Sequence, residues 1–206
     1  MHRTIRVVRN VFMAGLFLAS LAPTVVRADE PAPMPAGFRA DMIANIDDTA
    51  GKVEELAAAV PESKYGWAPA KGVRTAGQVY LHIVAANYML PGVVGVAGGM
   101  SMDEGMKLDQ TTQTKAKTLE MLKDSYAFLD KAIADMSDAD MDAQVDFFGK
   151  KMSKRAVLLA ALAHSHEHLG QSIAYARSMG ITPPWTARQN AAAQPKMAGD
   201  KPGMHK

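Results

Sequence analysis

No cysteine occurs among the 206 residues. That absence excludes thiolate metal sites, a cysteine nucleophile and disulfide staples, so any bound metal has to be held by His, Asp or Glu. Aromatic residues are scarce at 6 %, although the chain is 48 % hydrophobic and carries 15 Met. A core made mainly of Ala, Leu, Val and Met is a helical composition. An excess of charge of one sign is also missing. Of the 23 Lys and Arg, four (Arg3, Arg6, Arg9, Arg27) lie in the first 28 residues, leaving 19 against 21 Asp and Glu and a net charge of −2 on the remainder. Nucleic acid is therefore not an expected partner, since such binding draws on clustered cations. Long apolar runs are absent beyond the N-terminus; the stretch around 89–102 is broken by Pro91 and several glycines.

The N-terminus has its own pattern. Three arginines in the first nine residues precede an apolar stretch at 11–22, and small residues then lead to Ala28. A basic region, a short apolar region and a small-residue cleavage site make a secretory signal peptide. The apolar part falls well short of the roughly 20 residues needed to cross a bilayer. Residues 1–28 are thus expected to be removed, giving an exported, periplasmic or secreted product with no stable membrane insertion. Residues 29–37 form a Pro-rich lead-in.

From Phe38 onward, apolar side chains recur at steps of three and four. Met42, Ile43, Ile46, Val53, Leu56 and Val60 predict a first helix ending before Pro61. Residues 63–74 read as a loop with Tyr65 and Trp67 over one end of the core. Thr75 caps a second helix whose face is Val79, His82, Ile83, Ala86 and Leu90. A third helix is expected from near Asp109, carrying Leu119, Leu122, Tyr126, Leu129, Ile133 and Met136. Residues 137–152 read as an irregular connection in which Val145, Phe147 and Phe148 pack across helix ends. Ser153 caps a fourth helix that runs to Gly180, and residues 186–206, poor in large apolar side chains, are expected to be a disordered tail. The fold class is all-α: a four-helix bundle over residues 38–185 with a long connection between the second and third helices.

Three of the six histidines crowd into HSHEH on the fourth helix. His164 and His168 stand one turn apart on the same side, at the edge of the apolar face, while His166 is rotated away. His82 lies on the inward face of the second helix. An i, i+4 pair and a third imidazole from another helix can build a three-histidine site with a fourth position open to water or substrate. Such a donor set suits zinc, with nickel or iron as alternatives. The competing reading is a set of ordinary core or surface histidines on a His-rich turn, because such pairs also arise by chance. A zincin site is excluded, because Gly170 stands four residues after His166 where the second ligand should be.

These residues carry a resemblance. AHSHEHLGQSIAYARSMGITPPW (163–185), with the inward histidine of GVRTAGQVYLHIVAANY (72–88), resembles the DinB-like superfamily of four-helix bundles that bind a divalent metal. The resemblance implies His82 as the second-helix ligand and His164 and His168 as the fourth-helix pair. Gly170 and Gln171 match the Gly-Gln that follows, and Tyr175, Arg177, Gly180, Pro183 and Pro184 match the family's ending. It implies a metal-dependent hydrolase or thiol S-transferase acting on a small molecule, the alternative being a non-catalytic exported bundle that uses the metal for stability or sensing. A second copy of the chain is a further partner alternative. Gly170 is expected to allow close helix approach, since a mid-helix glycine needs a packing reason.

Overall fold

The computed structural model describes residues 37–193; the stretch at 1–28 expected to be a signal peptide, the Pro-rich lead-in before Gly37 and the end of the chain after 193 lie outside them. Helix α1 (Phe38–Ala59) buries Met42, Ile43, Ile46, Val53 and Leu56 on one stripe and stops where Val60 turns extended ahead of Pro61. A short 3-10 turn (Glu62–Lys64) leads to Tyr65, whose hydroxyl donates to the Ala57 carbonyl at 2.9 Å and ties the loop to α1. Helix α2 (Ala76–Val93) starts with a capping box. Thr75 Oγ1 accepts from the Gln78 backbone N–H, and Gln78 Oε1 accepts from that of Thr75, satisfying two donors that the first helical turn leaves unpaired.

The connection to the third bundle helix is itself structured. Helix α3 (Met102–Asp109), capped by Ser101 and Glu104, packs on α2. Gly105 faces α2, where a Cβ would be in ordinary contact with Met89 and Ala85. The loop before it is pressed against the end of α2, where a Cβ on Gly99 would fall 2.5 Å from the Gly92 Cα. Only glycine at that crossing lets the two backbones meet. The Met100 N–H also donates to the Tyr88 carbonyl at 3.2 Å.

Helix α4 (Lys115–Asp135) begins at the Thr114 cap, six residues later than the sequence pattern suggested, because Asp109 ends α3 instead of opening α4. Residues 137–153 are more regular than expected. They form helix α5 (Asp138–Asp142) and an antiparallel hairpin of β1 (Gln144–Phe147) and β2 (Lys150–Ser153), with Val145 opposite Met152. Val145 and Phe147 pack on the core as expected, but Phe148, in the tight turn with φ 52°, is 69 % exposed.

Helix α6 (Lys154–Ser178) is capped by Ser153 and closed by a Schellman motif, in which Ile181 N–H reaches the Ala176 carbonyl and Gly180 N–H that of Arg177. Residues 186–193, expected to be disordered, belong to helix α7 (Pro184–Ala193). Pro184 suits a first helical position, the Thr-Ala-Arg-Gln-Asn-Ala-Ala-Ala run holds good helix formers, and Arg188 pairs with Glu55 of α1 at 2.9 Å. Trp185 supplies an apolar contact to the core.

The bundle is α1, α2, α4 and α6. Both α1 and α2 pack against α4 and α6, so α1 and α2 stand diagonally across the bundle. The centre is aliphatic: Ile46, Val53, Leu56, Ile83, Leu122, Leu129, Ile133 and Leu158 are fully buried, each contributing about 1.5–3 kcal/mol of transfer free energy. Because α6 lies between α1 and α2, it turns one edge toward each. Among the described residues, no helix is long and apolar enough to cross a membrane.

Candidate metal centre

The α6 register places the histidines unequally. His166 lies on the edge facing α1, where Thr49 Oγ1 is 3.1 Å from its Nε2. His164 and His168 lie on the α2 edge and meet His82. One ligand nitrogen from each of His82, His164 and His168 lies within 4.8 Å of the others, and Nε2 of His82 and Nε2 of His164 are 3.0 Å apart. Ring centroids are 4.3–4.8 Å apart for the three pairs. Residues 82 positions apart in sequence are thus brought into contact.

The donor set fits a tetrahedral ion. Bonds of about 2.0–2.1 Å at tetrahedral angles put ligand nitrogens about 3.3 Å apart. The closest pair is already near that spacing, and the widest has to shrink by at most about 1.5 Å, within reach of small ring rotations. All three imidazoles could hold such an ion, and no fourth protein ligand joins them among the described residues.

Two of the rings are oriented from behind. Nδ1 of His82 lies 3.3 Å from Asp109 Oδ2. Nδ1–H of His168 donates to Gln171 Oε1 at 2.7 Å, and the Gln171 amide donates in turn to the Tyr175 hydroxyl at 3.1 Å. An acceptor on Nδ1 fixes the tautomer and leaves the Nε2 lone pair free for a metal. His164 differs, for its Nδ1 is buried without a hydrogen-bond partner.

Asp109 is itself anchored. Arg74 donates to it twice, Nε to Oδ1 and Nη2 to Oδ2, both at 2.7 Å. Such a forked pair is geometrically specific as well as strong. Burial pushes the Asp109 carboxyl up, but the bonds from Arg74 and the nearby His82 ring outweigh it and hold the group below its usual range. Burial depresses His82, with the Arg74 charge adding to it against Asp109. Burial, then His168 and His82, bring His164 down to about 3. At neutral pH, His82 and His164 are therefore uncharged, the form in which imidazole binds metal.

Gln171 thus finds a place as the partner of His168. Gly170, by contrast, is exposed and a Cβ there would meet nothing within 4 Å; it does not serve helix approach, and the close glycine contacts are at 92 and 99 instead. Arg74 and Asp109 escape a reading of the sequence, since a lone arginine in a loop and a lone aspartate at the end of an eight-residue helix carry no periodicity or spacing. Glu167 is exposed.

A four-helix bundle with imidazoles converging from its second and fourth long helices defines a class of metal-binding-capable helical proteins. This chain belongs to the DinB superfamily, whose sequence pattern matches residues 45–172. The uncharacterized protein YjoA of Bacillus subtilis (strain 168) is 25 % identical over 128 residues, which is 62 % of this chain and 82 % of that protein. Among solved structures, a DinB-like protein from Bacillus cereus ATCC 10987 superposes with a TM-score of 0.61 at 20 % identity, covering 69 % of this chain and 93 % of that one. YfiT from Bacillus subtilis, described as a probable metal-dependent hydrolase with an unusual four-helix bundle topology, gives 0.57 at 14 % identity, covering 74 % and 94 % respectively.

Proposed function

We propose that this chain binds one divalent ion, zinc in the first place and nickel or iron as alternatives, through His82, His164 and His168, and that it hydrolyses a small molecule at that centre. The observation that carries this reading is the convergence of three imidazoles, two of which have an acceptor on Nδ1. YfiT, a structural relative described as a probable metal-dependent hydrolase, points in the same direction. A divalent ion held with one position open supplies Lewis-acid polarisation of a substrate oxygen and a lowered pKa for a nucleophile.

The chain's own residues do the rest. His82 and His164 are held neutral by burial, Asp109 and Gln171 lock two of the rings, and Arg74 keeps Asp109 ionised and in place. Hydrolysis is favoured over thiol transfer by the N-terminal pattern at 1–28. We infer from that pattern an exported product, where reduced thiol cofactors are scarce; N-terminal sequencing of the protein from its producing cell is expected to start near Asp29.

Elemental analysis tests the metal assignment. The purified protein is expected to carry close to one equivalent of metal. His82→Ala, His164→Ala and His168→Ala each lower it well below one, while His166→Ala retains it. Full retention by the His82 variant would defeat the reading.

A further inference from the structure

Two cavities meet at the Arg74–Asp109 pair. One is a cleft of about 650 Å3 whose polar walls include Gln78, Gln110, Gln171 and Tyr175. The other, of about 250 Å3, lies between α2 and α3, with His82, Ala85 and Ala86 on one side and Met89, Met102 and Met106 around it. Arg74, Asp109 and Gln110 border both. The methionine-lined space thus reaches His82 itself, and the amide-lined cleft reaches Gln171, the hydrogen-bond partner of His168.

The two spaces select different chemistry. Charge in the cleft is cancelled, because the Arg74 fork is spent on the Asp109 carboxylate, and the remaining polar walls are amides and a phenol. Such walls can hydrogen-bond a neutral carbonyl or amide but do not offset the desolvation of an ion. Thioethers and alanine methyls, in contrast, accommodate an apolar chain of irregular shape. At about 30 Å3 per heavy atom, the liquid share of one water molecule, the smaller cavity houses about eight such atoms.

We propose that the substrate is a neutral amphipath, an ester or amide whose unbranched hydrocarbon tail of about six to eight carbons fills the methionine-walled cavity while its carbonyl end lies beside His82 and faces the cleft. The proposal rests on the hydrolase reading for its chemistry, in which water adds to the carbonyl carbon, the C–O or C–N bond breaks, one proton of that water passes to the leaving oxygen or nitrogen, and a carboxylic acid and a neutral alcohol or amine are released. Met89, Met102 and Met106 then determine tail length, and Gln110 and Gln171 recognise the head.

The experiment is isothermal titration calorimetry with straight-chain primary amides from butanamide to decanamide, on protein as purified, with metal content measured on the same sample. Kd is expected to fall by about fourfold per methylene, the value of one buried CH2, as far as octanamide, with no further gain at decanamide. Met106 is half exposed, so Met106→Glu is expected to keep the parent's thermal melting and weaken octanamide at least tenfold. A flat series, or a Met106→Glu protein that still binds octanamide normally, would overturn the proposal. A flat series on protein holding one equivalent of metal removes the tail assignment and leaves the metal centre standing. A steep series on protein without metal does the reverse.

Discussion

Nδ1 of His82 sits 3.3 Å from Oδ2 of Asp109, and Arg74 grips the same carboxylate through two bonds of 2.7 Å. This chain of contacts links a loop residue, a residue at the end of α3 and an imidazole of α2. Partners of this kind commonly cost 10–100-fold in metal affinity when removed. Asp109→Asn is expected to weaken metal binding by about that factor while leaving the stoichiometry at one, as measured by competition with a chromophoric chelator. Unchanged affinity would mean that His82 needs no carboxylate behind it.

Metal removal is expected to lower thermal stability. A ligand that binds only the folded state stabilises it by RT ln(1 + [L]/Kd), about 4.1 kcal/mol at a thousandfold excess over Kd. Differential scanning calorimetry with added zinc and with chelator should show this gap for the parent and for His166→Ala, and little of it for His164→Ala. A gap of equal size in all three would place the ion elsewhere.

The glycines make opposite predictions. Gly170→Ala puts a methyl group into open space on an exposed helix face and is expected to add about 0.5–1 kcal/mol, the helix-propensity difference between the two residues. Gly99→Ala forces a Cβ against the Gly92 Cα and N and the Tyr88 carbonyl. It should loosen the connection to α3 and speed tryptic cleavage at Lys107. Urea unfolding and limited proteolysis read the two effects separately.

Asp130 supplies a pH signature away from the histidines. Burial, then the neighbouring Asp47, raises its carboxyl to about 7, whereas the unfolded chain titrates at about 3.9. The folded state thus keeps a proton that the unfolded state releases. The stability from this group is complete below about pH 4 and is lost as pH rises through 7. Asp130→Asn is expected to melt higher than the parent at pH 8, with the difference closing by pH 4. A difference that persists at pH 4 would point to packing as its cause.

Much of the bundle was legible because its long helices each bury one stripe. Thr75 and Ser153 sit as caps where the sequence placed them, and α1 ends ahead of Pro61. The three histidines could be grouped because His82 falls on an apolar face and His164 and His168 are one turn apart. Short elements were harder. Helix α3 buries only Gly105, which leaves no apolar stripe to detect, and α7 buries no residue at all and is held by partners on α1 and in the core. The hairpin at 144–153 has strands of four residues rich in exposed polar side chains. Asp109 was hidden for the same reason as α3, since what it does depends on where a short connection lies in space.

The diagonal placement of α1 and α2 bears on how the chain acquires its structure. Two consecutive helices that share no face cannot form a helical hairpin, so α1 and α2 do not fold as a pair. Their apolar stripes wait for α4, which begins 22 residues after α2 ends, and for α6, which begins 61 residues after it. During synthesis, α1 and α2 therefore lack the helices that cover their apolar stripes, a state open to chaperone capture. The histidine cluster is subject to the same delay: with one ring on α2 and two on α6, it comes into being only when the last long helix docks.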